Sequence, residues 1–138
     1  RAALASRLRL GVTRLARKLR REGDTGITPT LLAALSTIER HGPVTAGMLA
    51  MHEQVEKPTV TRLLAVLEER ELIQRTSDPV DGRVTWVQIS PPGRKLLQST
   101  RRRKDGYLAK RIKHLSLDDQ ATLERAAEIL DRLAEEDR

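Results

Sequence analysis

One stretch of the chain decides the fold: residues 57–93 read KPTVTRLLAVLEERELIQRTSDPVDGRVTWVQISPPG. Its first part predicts an amphipathic helix over residues 57–70, because apolar side chains recur there at helical spacing. These apolar positions are Val60, Leu63, Leu64 and Leu67. A residue before proline avoids the helical region, so the sequence predicts Lys57 as the N-cap and Pro58 as the first helical residue.

Two β-type runs follow the helix, over residues 72–77 and 84–89. The turn-rich segment between them, residues 78–83, contains Pro, Gly and two Asp. This order predicts a β-hairpin whose tip is residues 78–83. Trp86 lies in the second run and is expected to contribute packing rather than to stack on a base.

Helices are also predicted before this stretch. Apolar residues spaced by three and four over residues 4–19 form one stripe of a first helix. Thr28 followed by Pro29 predicts the start of a second helix, which stops at His41. Thr45 is expected to cap a short third helix that ends near His52.

Two further helices are predicted after the hairpin. The dipeptide Pro91-Pro92 fits a first helical turn, and Gly106 is expected to weaken this long basic helix locally. Ser116 with Asp119 forms a capping pattern for the last helix. The whole order predicts a mainly α fold with a small β-hairpin wing, that is, a winged helix-turn-helix flanked by additional helices.

The predicted helix over residues 57–70 suits the recognition position of a helix-turn-helix, whose partner is the short helix over residues 45–52. In such a pair the second helix enters the major groove of DNA. Arg62 on the outward face can contact guanine at two atoms, and Thr59 and Thr61 can bond bases or phosphates.

Composition favours a polyanionic partner without identifying it. Lys and Arg number 26 against 19 Asp and Glu, a formal charge of +7. The net charge is +6 over residues 1–24 and +8 over residues 91–115, but −2 over residues 25–90. The positive charge that neutralises DNA phosphates must therefore come largely from the wing, the flanking helices and a second subunit. Cys is absent, which excludes disulfides, a Cys nucleophile and a thiolate zinc site.

Over nearly its whole length, the sequence resembles the multiple antibiotic resistance regulator (MarR) family of bacterial transcription factors. The run T-V-T-R-L-L-x-x-L-E resembles the family's recognition helix, and Leu72-Ile73-x-Arg75 resembles its first wing strand. The segment Asp78-Pro79-x-Asp81-x-Arg83 resembles its wing tip, and Gly93 matches the glycine after the second strand.

The resemblance implies roles for several residues. Arg83 would enter the minor groove and Asp81 would hold the wing in shape, although Arg83 could also simply pair with Asp81. The full set of predicted DNA-contacting residues is Thr45, Lys57, Pro58, Thr59, Thr61, Arg62, Arg75 and Arg83.

The chain departs from the family pattern at Glu71, where the family usually has Gly. The turn at Glu71 must either avoid the left-handed conformation or carry strain. Where the family usually has a Leu-Thr pair, this chain has Ile89-Ser90. Ser90 therefore keeps a hydroxyl at the second position of the pair. Aromatic residues are scarce, and this leaves open whether a small-molecule effector is sensed.

The resemblance also implies a homodimer, formed by the helices within about residues 1–22 and 91–138 of each chain. The whole chain would be a single domain, with about residues 28–90 as its DNA-binding region. The aliphatic stripe of residues 4–19 and the seam of residues 108–133 support the homodimer independently, because together they expose more apolar surface than one small domain covers. A dimer would bind a pseudo-palindromic operator in double-stranded DNA.

Other classes of function find little support in the sequence. Neither a catalytic arrangement nor a cofactor motif stands out, and the three histidines, His41, His52 and His114, lack the spacing of a metal site. The basic run Arg101 to Lys104 is expected to be solvated or to pair with acidic residues of the last helix, with phosphate contact as an alternative. No apolar run is long enough to span a membrane, which predicts a cytoplasmic protein.

The sequence therefore predicts a DNA-binding transcription regulator that acts as a repressor, and not an enzyme. Release by a small-molecule effector is the expected control step if an effector is sensed. The alternative is a winged helix that binds DNA without sequence preference, as nucleoid proteins do, or that contacts another protein.

Overall fold

The computed structural model describes residues 1–24 and 26–135. Within these residues the chain forms six helices and one antiparallel pair of strands. In chain order they are α1 (Ala2–Glu22), α2 (Pro29–His41), α3 (Ala46–Glu53), α4 (Lys57–Glu69), β1 (Ile73–Ser77), β2 (Thr85–Ile89), α5 (Pro91–Lys113) and α6 (Leu117–Ala134). The predicted order of elements is confirmed, and so is the mainly α fold class with a hairpin wing.

Helix starts follow the predicted capping residues. The Thr28 Oγ1 accepts a hydrogen bond from the Leu31 amide at 3.2 Å, and Pro29 opens α2. Thr45 and Ser116 cap α3 and α6 in the same way, each with a distance of 3.1 Å to the amide three residues later. Each cap satisfies one of the amides that a helix N-terminus leaves without an intrahelical partner.

The predicted N-cap of α4 is wrong by one residue. Glu56, not Lys57, is the cap, because the Glu56 carbonyl accepts hydrogen bonds from the Thr59 and Val60 amides. Lys57 is thus the first helical residue and Pro58 the second, which proline tolerates because the amides of the first turn have no intrahelical acceptor.

The apolar core lies within residues 27–97 and joins the helix-turn-helix to the hairpin. Its most deeply buried members come from α2, α3, α4 and β2: Leu35, Ile38, Leu49, Val60, Leu64, Leu67 and Val87. Val44, between α2 and α3, exchanges two backbone hydrogen bonds with Val87 of β2, of 2.9 and 2.7 Å. This bridge fixes the hairpin beside the start of α3.

The hairpin has a regular register. Ile73 pairs with Ile89 at its base, and Ser77 pairs with Thr85 next to the tip. Each predicted strand began one residue too early, because Leu72 and Val84 lie just before the observed strands. The side chains of Ile73, Val87 and Ile89 point into the core, so the base of the wing is anchored and its tip projects.

The turn between α4 and β1 adopts the strained alternative. Glu71 has φ +61°, a left-handed conformation that a residue with a Cβ adopts at a cost. Nearby, a Cβ built on Gly93 would lie 2.2 Å from the Leu72 carbonyl oxygen, so only glycine fits there. The start of α5 and this turn are therefore in direct backbone contact.

The chain divides into two compact units, Arg1–Lys104 and Asp105–Arg138. In the first unit, Arg101 pairs with Glu39 of α2 at 2.9 Å, and Arg103 donates a hydrogen bond to the Asp24 carbonyl at 3.2 Å. Of the alternatives expected for this basic run, solvent exposure holds for Arg101, Arg102 and Arg103, whereas the ion pair of Arg101 is formed with α2 and not with the last helix. In the second unit, Arg111 lies 4.9 Å from the ring centre of Tyr107. Helix α5 continues through Gly106.

Two helices leave large apolar side chains uncovered. In α1 no residue is buried, and the exposed set includes Leu4, Leu8, Leu10, Val12 and Leu15. In α6 no described residue is buried either, and Leu123, Ile129, Leu130 and Leu133 are exposed. None of the helices in residues 1–24 and 26–135 has the length and apolar character that a membrane crossing needs.

Candidate nucleic-acid interface

The N-terminal half of α4 presents polar and basic side chains on the face away from the core. Arg62 and Thr61 are exposed, and Thr59 is half-buried beside them. The Thr61 hydroxyl donates a hydrogen bond to the Lys57 carbonyl at 3.1 Å, which fixes the rotamer of its side chain and directs its methyl group. These three side chains and the exposed Pro58 occupy the positions that meet base edges when such a helix enters a major groove.

A groove beside this face brings together predicted residues from three elements. Its lining includes Thr45 at the start of α3, Lys57 at the start of α4, and Arg75 and Arg83 of the hairpin. The remaining lining residues are Ala46, Gly47, Val84 and Thr85. Three cations and the positive end of the α3 dipole therefore lie along one groove, an arrangement that attracts phosphate.

Arg75 is not a free cation in this groove. It forms an ion pair with Glu68 of α4, and its side chain is 35% exposed. The pair connects β1 to α4. A contact between Arg75 and phosphate would therefore use donors that the pair with Glu68 leaves.

The wing tip is ordered by two aspartates. Oδ1 of Asp78 accepts hydrogen bonds from the amides of Val80, at 2.8 Å, and Asp81, at 3.0 Å. Asp81 in turn accepts from the Arg83 amide at 3.0 Å and from the Arg83 side chain at 3.1 and 3.3 Å. The Arg83 side chain remains 92% exposed. The expected ion pair is present, and it leaves the guanidinium accessible at the tip.

These hydrogen bonds lower the pKa values of both carboxyl groups. The bond from the Trp86 indole, followed by those from the Asp81 and Val80 amides, holds the pKa of Asp78 below its ordinary value. The side chain of Arg83, followed by its amide, lowers the pKa of Asp81. Both carboxylates are therefore charged at neutral pH.

Two residues of the wing, Asp78 at the tip and Trp86 on β2, make a contact that the sequence pattern did not predict. Nε1 of Trp86 donates a hydrogen bond to Oδ2 of Asp78 at 2.9 Å. The sequence pattern places Asp78 in the wing-tip motif without a role of its own, and it predicts only packing for Trp86. The signal available was Asp followed by Pro at a tight turn, since Asp commonly bonds the backbone two residues on. The tryptophan partner depends on cross-strand geometry.

Two histidines far apart in sequence meet beside the helix-turn-helix. The rings of His41, at the end of α2, and His52, in the last turn of α3, stack with their centres 4.2 Å apart. Within residues 1–24 and 26–135, no group of three or more metal-ligating side chains occurs.

A cavity of mixed character lies among α1, α2 and the first part of α5. Three basic residues line it, namely Arg20, Arg101 and Lys104, together with apolar residues that include Leu32 and Leu97. Thr100 also lines it and is 3% exposed. Among the described residues, its Oγ1 has no hydrogen-bond partner. A buried hydroxyl without a partner is costly, so this one is a candidate contact for a ligand.

Comparison with known proteins agrees with this geometry. The model of the MarR family matches residues 27–85, which span α2, α3, α4, β1 and the tip of the wing. The chain is 38% identical over 136 residues to the uncharacterized HTH-type transcriptional regulator ML2140 of Mycobacterium leprae, covering 98% of this chain and 95% of that protein.

Solved structures share the fold over almost the whole chain. A Pseudomonas aeruginosa PA01 protein described as a transcriptional regulator is 34% identical, with a TM-score of 0.89 and coverage of 99% of this chain and 96% of that chain. A mutant of Staphylococcus aureus MepR bound to an oligodeoxyribonucleotide is 22% identical, with a TM-score of 0.76 and coverage of 94% and 97%. The second likeness concerns the fold alone.

Proposed function

We propose that this chain, a transcriptional regulator that belongs to the MarR family, binds specific operator sequences in double-stranded DNA as a homodimer. The observation that carries the proposal is the single surface formed by the outward face of α4, the basic groove and the exposed Arg83. A bacterial regulator of this kind works in the cytoplasm, where the chromosome is. Occupation of an operator by such a dimer would block the promoter, so we propose a repressor.

Each part of the surface has a distinct task in this proposal. Arg62, Thr59 and Thr61 contact base edges in the major groove, where donor and acceptor patterns differ for every base pair. Lys57, Arg75 and the start of α3 at Thr45 hold phosphates and so fix the position of the helix. Arg83 enters the adjacent minor groove, whose narrow A·T-rich form attracts arginine.

A homodimer is supported by the apolar side chains of α1 and α6. Within one chain both helices leave aliphatic side chains exposed, for example Leu8 at 40% and Leu130 at 39%. Covering such aliphatic surface with a second copy is the usual solution for obligate dimers. Two copies related by a two-fold axis would present two recognition helices to half-sites about one helical turn apart.

Substitution of Leu130 tests the dimer. Leu130→Asp places a charge on the proposed interface, so we expect the variant to be monomeric by light scattering and to lose binding to a two-half-site probe. Leu130→Met keeps the apolar volume and should remain dimeric. A dimeric Leu130→Asp variant would overturn this assignment of the interface.

Release by a small-molecule effector is supported by the cavity that contains Thr100. Its basic lining and partnerless buried hydroxyl suit an organic anion with an apolar body, and few aromatic side chains are available to stack on it. Benzoate and octanoate are suitable probes. We expect either to weaken operator binding in the native protein and less so in Thr100→Val; equal behaviour of both proteins would exclude this cavity as the effector site.

Selection from random duplex DNA at roughly physiological salt tests the main proposal. We expect a two-fold symmetric motif, bound at least ~10³ times more tightly than random DNA. The competing function is non-specific binding, as in nucleoid proteins, or contact with another protein. A pool without sequence preference, bound with an affinity that falls steeply as salt rises, would favour non-specific binding. Absence of DNA binding would favour a protein partner.

A further inference from the structure

We propose that Trp86 and Asp78 are positioning residues that set the direction of the Arg83 side chain before DNA binds. The inference rests on the proposed DNA-binding function, and it assigns a role to two residues outside the predicted contact set. Neither residue needs to touch DNA for this role. Both act through a continuous series of hydrogen bonds that ends at the guanidinium.

The series begins on the second strand of the wing. Trp86 lies opposite Thr76 in the hairpin, and its indole Nε1 donates to Asp78 Oδ2 at 2.9 Å. Indole is a donor without an acceptor atom, and its ring is rigid, so this contact defines one orientation of the carboxylate. The other oxygen of the same carboxylate, Oδ1, is then directed at the backbone of the tip.

The second step fixes the tip backbone. Asp78 Oδ1 accepts from the Val80 amide at 2.8 Å and from the Asp81 amide at 3.0 Å. The turn is closed by two further backbone bonds, from the Asp78 amide to the Val84 carbonyl at 2.8 Å and from the Val84 amide to the Asp81 carbonyl at 3.0 Å. Asp81 therefore has a defined backbone position, although the tip is at the surface.

The third step orients the arginine. Asp81 Oδ1 accepts from the Arg83 amide and from Nε at 3.1 Å, and Oδ2 accepts from Nη2 at 3.3 Å. A guanidinium has five N–H donors, and these contacts leave the Nη1 donors for DNA. An arginine held in this way loses less conformational entropy on entering a groove than a freely rotating one, which raises affinity.

A simpler explanation is that the pair of Asp81 and Arg83 is an ordinary surface ion pair of little consequence. The two explanations differ in what Trp86 does. In an isolated ion pair, loss of the indole donor should not alter Arg83. In the proposed series, loss of that donor loosens Asp78, then Asp81, and then the guanidinium.

The experiment combines Trp86→Phe with Arg83→Ala in a double-mutant cycle. Phe keeps an aromatic ring on β2, although a smaller one, and lacks the indole N–H donor. We expect Trp86→Phe to weaken binding to a site with A·T-rich flanks about three- to tenfold, the size of one lost hydrogen bond. In the Arg83→Ala background the same change should have almost no further effect. An equal loss in both backgrounds, or no loss in either, would overturn the proposal.

A measurement on the free protein separates this inference from the proposed function. We expect the Arg83 Nε–H resonance to be sharp and distinctly shifted in the native protein, and to move to the position of a solvated arginine in Trp86→Phe and in Asp78→Asn. The resonances of the core amides and the unfolding midpoint should stay close to those of the native protein, which shows that the variants fold. An unchanged Arg83 resonance in both variants contradicts the series, even if DNA binding is sequence-specific. A changed resonance in a protein that binds no DNA would retain the series and reject the function.

Discussion

The Ser90 hydroxyl donates a hydrogen bond of 2.6 Å to the carbonyl oxygen of Glu71. The same oxygen, Oγ, accepts from the Gly93 amide at 3.1 Å and so caps the start of α5. One buried hydroxyl thus connects the end of the recognition helix, the base of the wing and the helix that follows. Ser90 is 3% exposed, so neither contact can be replaced by bulk water.

Replacement of Ser90 by alanine should therefore lower stability. The change removes both contacts and leaves the partly buried Glu71 carbonyl and the buried Gly93 amide without their partner. We therefore expect the free energy of unfolding to fall by about 1–3 kcal/mol. Urea denaturation measures this quantity. Ser77→Ala, at the exposed end of β1, is the matched control and should change it by less than about 0.5 kcal/mol. Similar values for the two variants would contradict the role assigned to Ser90.

Glycine at position 71 should stabilise the protein. Glu71 has φ +61°, and glycine enters this conformation without the steric cost that a Cβ adds. The greater entropy of glycine in the unfolded chain offsets part of this gain. We therefore expect the free energy of unfolding of Glu71→Gly to rise by only about 0.5–1 kcal/mol. Ala65→Gly, at an exposed position inside α4, should instead lower stability by about 1 kcal/mol. A loss of stability in Glu71→Gly would show that the left-handed turn is not strained.

Alanine substitution should have opposite effects at two glycines of α5. At Gly93 the new Cβ would meet the Leu72 carbonyl oxygen at 2.2 Å and the Ile89 side chain at 2.9 Å. We expect Gly93→Ala to lose at least about 2 kcal/mol of stability, as is usual when a backbone contact is overpacked. At Gly106 nothing lies within 4 Å of the new atom, so Gly106→Ala should gain up to about 1 kcal/mol through helix propensity. Thermal unfolding of both variants checks the difference in sign.

Arg62 should determine one base of the operator. Loss of its guanidinium in Arg62→Ala is expected to cost about 1–3 kcal/mol and to relax preference at a single position of each half-site. Arg62→Lys keeps the charge but loses the two-point contact, and should recover affinity more than selectivity. The measurement is a binding-site selection with each variant. A motif identical to that of the native protein would exclude Arg62 from base recognition.

Acid should disorder the wing tip below the ordinary pKa of aspartate. Hydrogen bonds lower the pKa of Asp78 from 3.8, so its stabilising contribution is complete well above pH 3.8. That contribution decreases as the pH falls from 3.8 toward the lowered value. The indole N–H resonance of Trp86, followed from pH 6 to 2.5, should show a midpoint below 3.8. A midpoint above 3.8 would contradict the charged state proposed for Asp78, and Asp78→Asn should abolish the transition.

Much of this protein is encoded in local sequence. Thr28, Thr45 and Ser116 cap their helices as predicted because a short hydroxyl side chain satisfies an amide only three residues away. The apolar spacing of α4 likewise sets which face is buried, since helical geometry alone places residues three and four apart on one side. The hairpin followed from two β-type runs and the turn between them.

Contacts between residues distant in sequence were decided only by the tertiary structure. Glu71 could have avoided the left-handed region, but Ser90 and Gly93 hold the backbone there from across the wing. Glu68 of α4 pairs with Arg75 of β1, and Glu39 of α2 pairs with Arg101 of α5, so each ion pair joins two different elements. Trp86 reaches Asp78 because the antiparallel register brings the start of the tip beside the second strand. Such contacts depend on the distance between chain segments after folding, whereas capping and amphipathic spacing depend on neighbours along the chain.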